Sequence, residues 1–419
     1  MLKNKITILF SVLVFLFSVS SVFADGDTED TKTQKDASKK AYFYKDAGNG
    51  NYFKPVVDII AGIQHLMLDN PSIVTGKSTN EDRTVTLAMG RFGFQGREFG
   101  YLNYKFTMER NLGKTGSSIW DGNIMMSIRE LYLQYDKNNI EITGGVFVDD
   151  ASLDYFSEHM ANFLLTDQYT RDPLVFSGLN RAQGIGIKYN VLDMAKIGVT
   201  FSSGNPLNTS ASYAMRGNVT TYSSLYNAVI RGLDNANDIT TYTNLTMVTP
   251  SIIVKSPKIA NSFMEVKFAY QIYQINSDLL KKEDANLDGT NMRISVCLNL
   301  LDGMIKPFFN YNFRKHEQIL GSDINLKDDT KYRSNVTSMG LDFNMKGVGG
   351  IGANYAIVFQ DTGPHQRDDY LNIGATYWIE KDQLSVNARF TSLVTKSEGK
   401  KDDGNSDDTN IYAAVRLKI

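Results

Sequence analysis

Residues 263–273 alternate without a fault. Met264, Val266, Phe268, Tyr270 and Ile272 share one face, and Glu265, Lys267, Ala269, Gln271 and Tyr273 share the other. Such period-two alternation sets one face of a strand in an apolar medium and the other in water. The pattern returns elsewhere. Leu102, Tyr104, Phe106 and Met108 oppose Tyr101, Asn103, Lys105, Thr107 and Glu109. Ile305, Pro307, Phe309, Tyr311 and Phe313 oppose Lys306, Asn310, Asn312 and Arg314, with Phe308 the exception. Leu384, Val386, Ala388 and Phe390 oppose Ser385, Asn387, Arg389 and Thr391, until Ser392 and Leu393 break the order. At the end, Ile411, Ala413, Val415, Leu417 and Ile419 stand against Tyr412, Arg416 and Lys418. A soluble β-sandwich needs neither so many strands nor this length.

Sixteen strands are expected between residues 56 and 418. Most have about the 9–11 residues that a tilted membrane-spanning strand requires. The connections sharpen the reading, because they alternate in length. Gly96–Glu98, Lys137–Asn138, Leu192–Asp193, 256–261, Leu301–Gly303, Lys346–Val348 and Glu380–Lys381 are short. Between them fall 67–83, 111–125, 149–182, 204–244, 275–289, 315–334, 361–368 and 395–408, nearly all much longer. Short turns on one rim and long loops on the other, with an even strand count, predict an all-β fold: a transmembrane antiparallel β-barrel in the bacterial outer membrane. The 204–244 connection contains SYAMRGNVTTYSSLYNAVIRG, which leaves room for a further hairpin and eighteen strands.

The N-terminus supports export. Lys3 and Lys5 precede an apolar run from Ile6 to Val19, and Val22-Phe23-Ala24 makes a small-residue cleavage site, so 1–24 read as a signal peptide. Residues 25–52 are charged and Gly/Asn-rich and predict a flexible lead-in, which leaves 53–419 for the barrel. No later run approaches the ~18–20 apolar residues of a spanning helix. A net charge of -2 gives no bias towards nucleic acid, and the one cysteine, Cys297, cannot form an internal disulfide.

One stretch departs from the strand pattern. DDASLDYFSEHMANFLLTDQYTRDPLVFSGLNR, 149–181, is polar and aromatic and has no alternation. A long insert of this kind is usually functional or disordered. Here it is expected to fold into the lumen and narrow it, with Asp149, Asp150, Asp154, Glu158, Asp167, Arg171 and Asp172 at the constriction.

Three stretches carry a resemblance: MGRFGFQGREFGYLNYKFTME (89–109), IRELYLQYDKNNIEITGGVFVDDASLDYFS (128–157) and LLTDQYTRDPLVFSGLNRAQGIGIKYN (164–190). Together they resemble bacterial porins of the phosphate-selective porin O/P type. The resemblance implies a sixteen-stranded channel, usually a homotrimer, whose phosphate selectivity depends on cationic side chains crowding the constriction. In this chain the loop opens Val148-Asp149-Asp150, without a lysine.

For a pore, the relevant chemistry is charge on a narrow aqueous wall. Alternation turns Lys105, Lys188, Lys196, Lys267, Arg293, Lys306, Arg314, Arg389, Arg416 and Lys418 inward, against Asp58, Glu109, Glu130, Glu141, Glu265 and Asp342. A basic wall facing an acidic loop would set a transverse field that admits small polar solutes and penalises apolar ones. Scattered ion pairs on a solvated wall are the plainer account of the same residues.

Asp284, Asn286, Asp288 and Gly289 match the start of a calcium loop, but its twelfth position is Ser295; an ordinary Asp/Asn/Gly turn is the commoner meaning. Asp328-Asp329, Asp402-Asp403 and Asp407-Asp408 could hold divalent cations that bridge lipopolysaccharide. His65, His159, His316 and His365 are dispersed, without zinc spacing, and no nucleophile–base set emerges. No cofactor is expected. Tyr135, Tyr189, Tyr270, Phe359, Tyr377 and Phe390 fit aromatic girdles at the membrane interfaces. The expected function is passive diffusion of small hydrophilic solutes and ions, by a trimer embedded among outer-membrane lipid and lipopolysaccharide. Two alternatives stay open: a channel selective for anions, phosphate or oligosaccharides, the last along Tyr155, Phe156, Phe163 and Tyr169, or a non-conducting protein whose surface loops bind a partner.

Overall fold

The computed structural model describes residues 45–48, 50–71, 78–111, 127–148, 181–191, 194–204, 244–276, 286–319, 330–361, 366–381, 383–397 and 406–418. A four-residue strand, β1 (Lys45–Gly48), comes first in the chain. The barrel strands then run in order: β2 (Asn51–Pro71), β3 (Ser78–Glu98), β4 (Leu102–Asn111), β5 (Ser127–Lys137), β6 (Ile140–Val148), β7 (Arg181–Val191), β8 (Ala195–Gly204) and β9 (Asn244–Lys255). The second half comprises β10 (Phe263–Asn276), β11 (Asn286–Asn299), β12 (Ile305–Ile319), β13 (Thr330–Met345), β14 (Gly349–Asp361), β15 (Gln366–Glu380), β16 (Leu384–Ser397) and β17 (Ser406–Lys418).

Each strand from β2 to β17 pairs antiparallel with its sequence neighbour, β9 pairs with β10, and β17 returns to β2. Sixteen strands therefore close into one barrel. Closure joins the last strand to the first, so the ladder runs unbroken around the barrel and meets its donors and acceptors between strands, as a bilayer demands. The expected strand count holds among the described residues, while the possible extra hairpin at 204–244 falls almost wholly outside them.

Alternation sorts the side chains as the sequence implies. Leu133, Ile63, Ile185 and Met339 point outward and are 59%, 55%, 53% and 53% exposed. Inward positions are polar and buried, as at Gln64, Glu130, Thr143 and Ser338. The short connections cluster on one rim and use left-handed backbone: Asn138 and Asn139 have φ of 55° and 64°, Ala260 and Asn261 45° and 62°. The paired positive φ values at Asn138-Asn139 suit a two-residue hairpin turn, whose twist matches that of the flanking strands.

Several details differ from the sequence expectation. β2 and β3 are 21 residues each, far longer than 56–66 and 84–95, and their ladder runs from Tyr52↔Arg97 to Pro71↔Ser78. Beyond a bilayer both faces of a hairpin are in water, so the pairing continues while the alternation that reveals it disappears. β1, Asn51 and Tyr52 fall within the stretch expected to be a lead-in. Ser392 and Leu393 break the alternation as expected, but the strand runs on past them to Ser397: Leu393 faces inward and is buried, opposite Tyr370. Phe308 is likewise an inward residue, buried against Gly340, where an added Cβ would lie 2.3 Å from its Cζ.

β5 contains a bulge. Thr107 pairs with Glu130 but Met108 with Ile128, so Arg129 is the extra residue. The bulge lets Ile128 and Leu131 both face outward, where strict alternation would allow only one. Outside β3–β6, next to Gly144, an apolar groove of about 800 Å³ runs between Phe94, Tyr104, Phe106 and Leu133.

Candidate functional site: the inner wall

Several of the charged residues expected on the wall meet there as ion pairs. Lys105 Nζ lies 2.7 Å from Glu130 Oε2. Glu141 receives Lys196 at 2.8 Å and Lys188 at 3.6 Å. Glu265 is held by Lys255 at 3.0 Å and Lys267 at 3.4 Å. Asp58 accepts two hydrogen bonds from Arg416, each 2.7 Å, and lies 3.6 Å from Arg91.

In these pairs among the described residues, seven cations share four carboxylates. Most of these pairs sit in the half of the wall next to the short turns, because Glu141, Lys196 and Glu265 come within three residues of the starts of β6, β8 and β10. Cross-strand alternation explains their meeting: Glu141 is opposite Lys188, and Glu265 opposite Lys255. Lys306 is opposite Asp342 in the same manner. Arg293 and Arg389 face inward and are almost completely buried, and Arg389 lies over the Tyr412 ring at 5.3 Å and donates to Thr391 at 2.9 Å.

Arg91 and Lys255 escaped the sequence reading. Arg91 sits in an arginine–glycine strand where glycines stand in for outward apolar residues, and Lys255 ends its strand. Glu109 and Arg314 lie on β4 and β12, opposite Arg91 and Asn291 respectively.

Strands β12–β17 also carry a row of uncharged polar side chains, beside the inward charges of Lys306, Asp342, Asp368 and Arg389. Asn354, Asn372, Thr391 and Asn410 lie directly opposite one another on β14, β15, β16 and β17. A step nearer the long connections, Val336, Ala356, Val358, Tyr370 and Leu393 form a buried apolar cluster on the same inner face. An inward apolar cluster has no signature in alternation, which assigns apolar residues to lipid.

The constriction residues Asp149, Asp150, Asp154, Glu158, Asp167, Arg171 and Asp172 lie outside the described residues, as do Asp284, Asp328-Asp329 and Asp402-Asp403. Asn286 and Asp288 are in β11, opposite Ile319 and Glu317, and Gly289 continues that ladder opposite His316. The backbone there is extended, not the tight turn that the sixth position of a calcium loop makes. Asp407 and Asp408 belong to β17 rather than to a loop. Among the described residues, no three His, Cys, Asp or Glu side chains converge on a metal position.

The sequence matches no family model. It also matches no curated protein. Solved structures do share the fold. The outer membrane channel DcaP of Acinetobacter baumannii superposes with a TM-score of 0.58 at 12% identity, covering 90% of this chain and 100% of that one. The anion-selective porin from Comamonas acidovorans gives 0.56 at 12% identity, over 88% of this chain and 100% of that one. Salmonella typhi OmpF gives 0.55 at 12% identity, over 90% and 100%. The protein thus has the sixteen-stranded barrel fold found in porins.

Proposed function

We propose that the protein is an outer-membrane diffusion channel for small hydrophilic solutes and ions. The observation that carries this reading is the pairing of an apolar outer surface with an inner wall of ion pairs, amides and hydroxyls, in a barrel closed by its own ladder. Such a wall suits water-borne solutes, and such an exterior suits only lipid. The porin-like fold and the signal-like residues 1–24 support the same location. In this reading, 149–182 forms the constriction, and its acidic side chains, from Asp149 to Asp172, face the surplus cations of the wall. The channel assembles as a homotrimer in outer-membrane lipid and lipopolysaccharide, in keeping with the resemblance of 89–190 to trimeric porins.

A second reading has a specific observation behind it. The ten cations and six acids expected on the wall leave an excess of positive charge that favours anions, which is also what the likeness to phosphate-selective porins implies. Reconstitution in a planar bilayer separates the two. Stepwise conductance with a small reversal potential in a tenfold salt gradient supports general diffusion. A strong anion preference supports the second reading, and folded protein without conductance sinks both and moves the function to the surface loops.

A further inference from the structure

On β14–β17 the wall holds side-chain amides that no described residue satisfies. Among the described residues, both polar atoms of Asn354, Asn372 and Asn410 lack a hydrogen-bond partner, and so do both of Gln64. All four side chains face inward and are at most 2% exposed. The three asparagines share one cross-strand row with Thr391, and Gln64 is opposite Tyr412, one inward position beyond Asn410. Burying an amide with its donor and acceptor unmet is costly, so a run of them on adjacent strands points to something that meets them when the protein works.

The row has a definite chemistry. Each amide offers one carbonyl acceptor and an NH₂ donor side by side. A hydroxyl also donates and accepts, so neighbouring hydroxyls of a sugar ring match successive amides. At roughly 4.8 Å between strands, four positions extend over about 14 Å, enough for several hydroxyls. Tyr370 and Tyr412 flank the row on the same face, two residues before Asn372 and two after Asn410. Tyr370 belongs to the buried apolar cluster and Tyr412 lies under Arg389, so the amides alone carry the chemistry of the row. The row's own members are uncharged, and Arg389 borders it, donating to Thr391 at 2.9 Å.

We propose that Asn354, Asn372, Thr391 and Asn410, with Gln64, form a track for uncharged polyhydroxylated solutes, namely sugars and short oligosaccharides. It rests on the channel reading and names a solute class for it. In anion-rich solution the charged wall would still conduct ions, so the two properties are separable.

The test uses purified full-length protein in a planar bilayer, with maltotriose and raffinose added as probes. Block of the current is normalised to the sugar-free current of each channel. Concentration-dependent block is expected, with the half-blocking concentration raised at least tenfold in the triple variant Asn354→Ala/Asn372→Ala/Asn410→Ala. If that variant does not insert, Asn372→Ala alone is expected to raise it severalfold. Open channels that neither sugar blocks, or block that these substitutions leave unchanged, would overturn the track while the diffusion reading stands; water alone would then satisfy the amides. Absence of channel steps from folded protein would overturn the diffusion reading and the track with it.

Discussion

Arg416 donates to Asp58 from both Nε and Nη2, each at 2.7 Å, across the seam where the last strand meets the first of the barrel. The two residues are 358 positions apart, so this fork is made only when the barrel closes. Both side chains are nearly buried, at 11% and 4% exposed.

Breaking a buried pair by removing one partner typically costs about 3–5 kcal/mol, because the other charge is left uncompensated. Arg416→Ala is therefore expected to lower the guanidinium midpoint of the detergent-folded barrel, followed by tryptophan fluorescence. Arg416→Met/Asp58→Asn should recover part of that loss. An unchanged midpoint in the single variant would show that Arg91 alone suffices for Asp58.

The shared carboxylates predict a direction for selectivity. Lys188→Gln and Lys196→Gln together leave Glu141 without its cations. The reversal potential in a salt gradient should then move towards cations. Movement towards anions would contradict the placement of these lysines on the conducting wall.

Gly340 and Phe308 should be coupled. A methyl at Gly340 would meet Phe308 Cζ at 2.3 Å and the Ala353 carbonyl at 2.7 Å. Gly340→Ala is expected to cost about 1–3 kcal/mol through overpacking. The cost should shrink in a Phe308→Ala background without vanishing, because the backbone carbonyl remains. Strict additivity in the double-mutant cycle would refute the contact.

Ile185 is outward and central in β7. Arginine there would face hydrocarbon, at a cost of about 2–4 kcal/mol at the midplane of a bilayer. Refolding into vesicles should show that loss, and should show almost none for an arginine at Met194, just past the short-turn end of the strand.

Two short turns are tied by Lys258 and Asp302, 2.7 Å apart. The hydrogen bond from Lys258 holds the Asp302 carboxyl below the usual range. A depressed pKa means the bond contributes above the ordinary carboxylate value of about 3.9 and is lost as pH falls through the lowered value. Lys258→Ala should return the Asp302 titration, read by carbonyl NMR, towards that ordinary value.

Much of this was legible in the chain. Alternation in β10 and β4 placed Glu265, Lys267 and Lys105 on the inner face, and the two loop lengths implied closure with sixteen strands. These follow from the sequence because a lipid exterior imposes one rule on every second residue, wherever the strand sits. The partners do not follow. Which carboxylate holds Arg416, how Asn354, Asn372 and Asn410 fall into one row, and that Leu393 and Val336 gather inside are matters of register between strands. Register is set by how the whole ladder closes, and only the tertiary structure decides that.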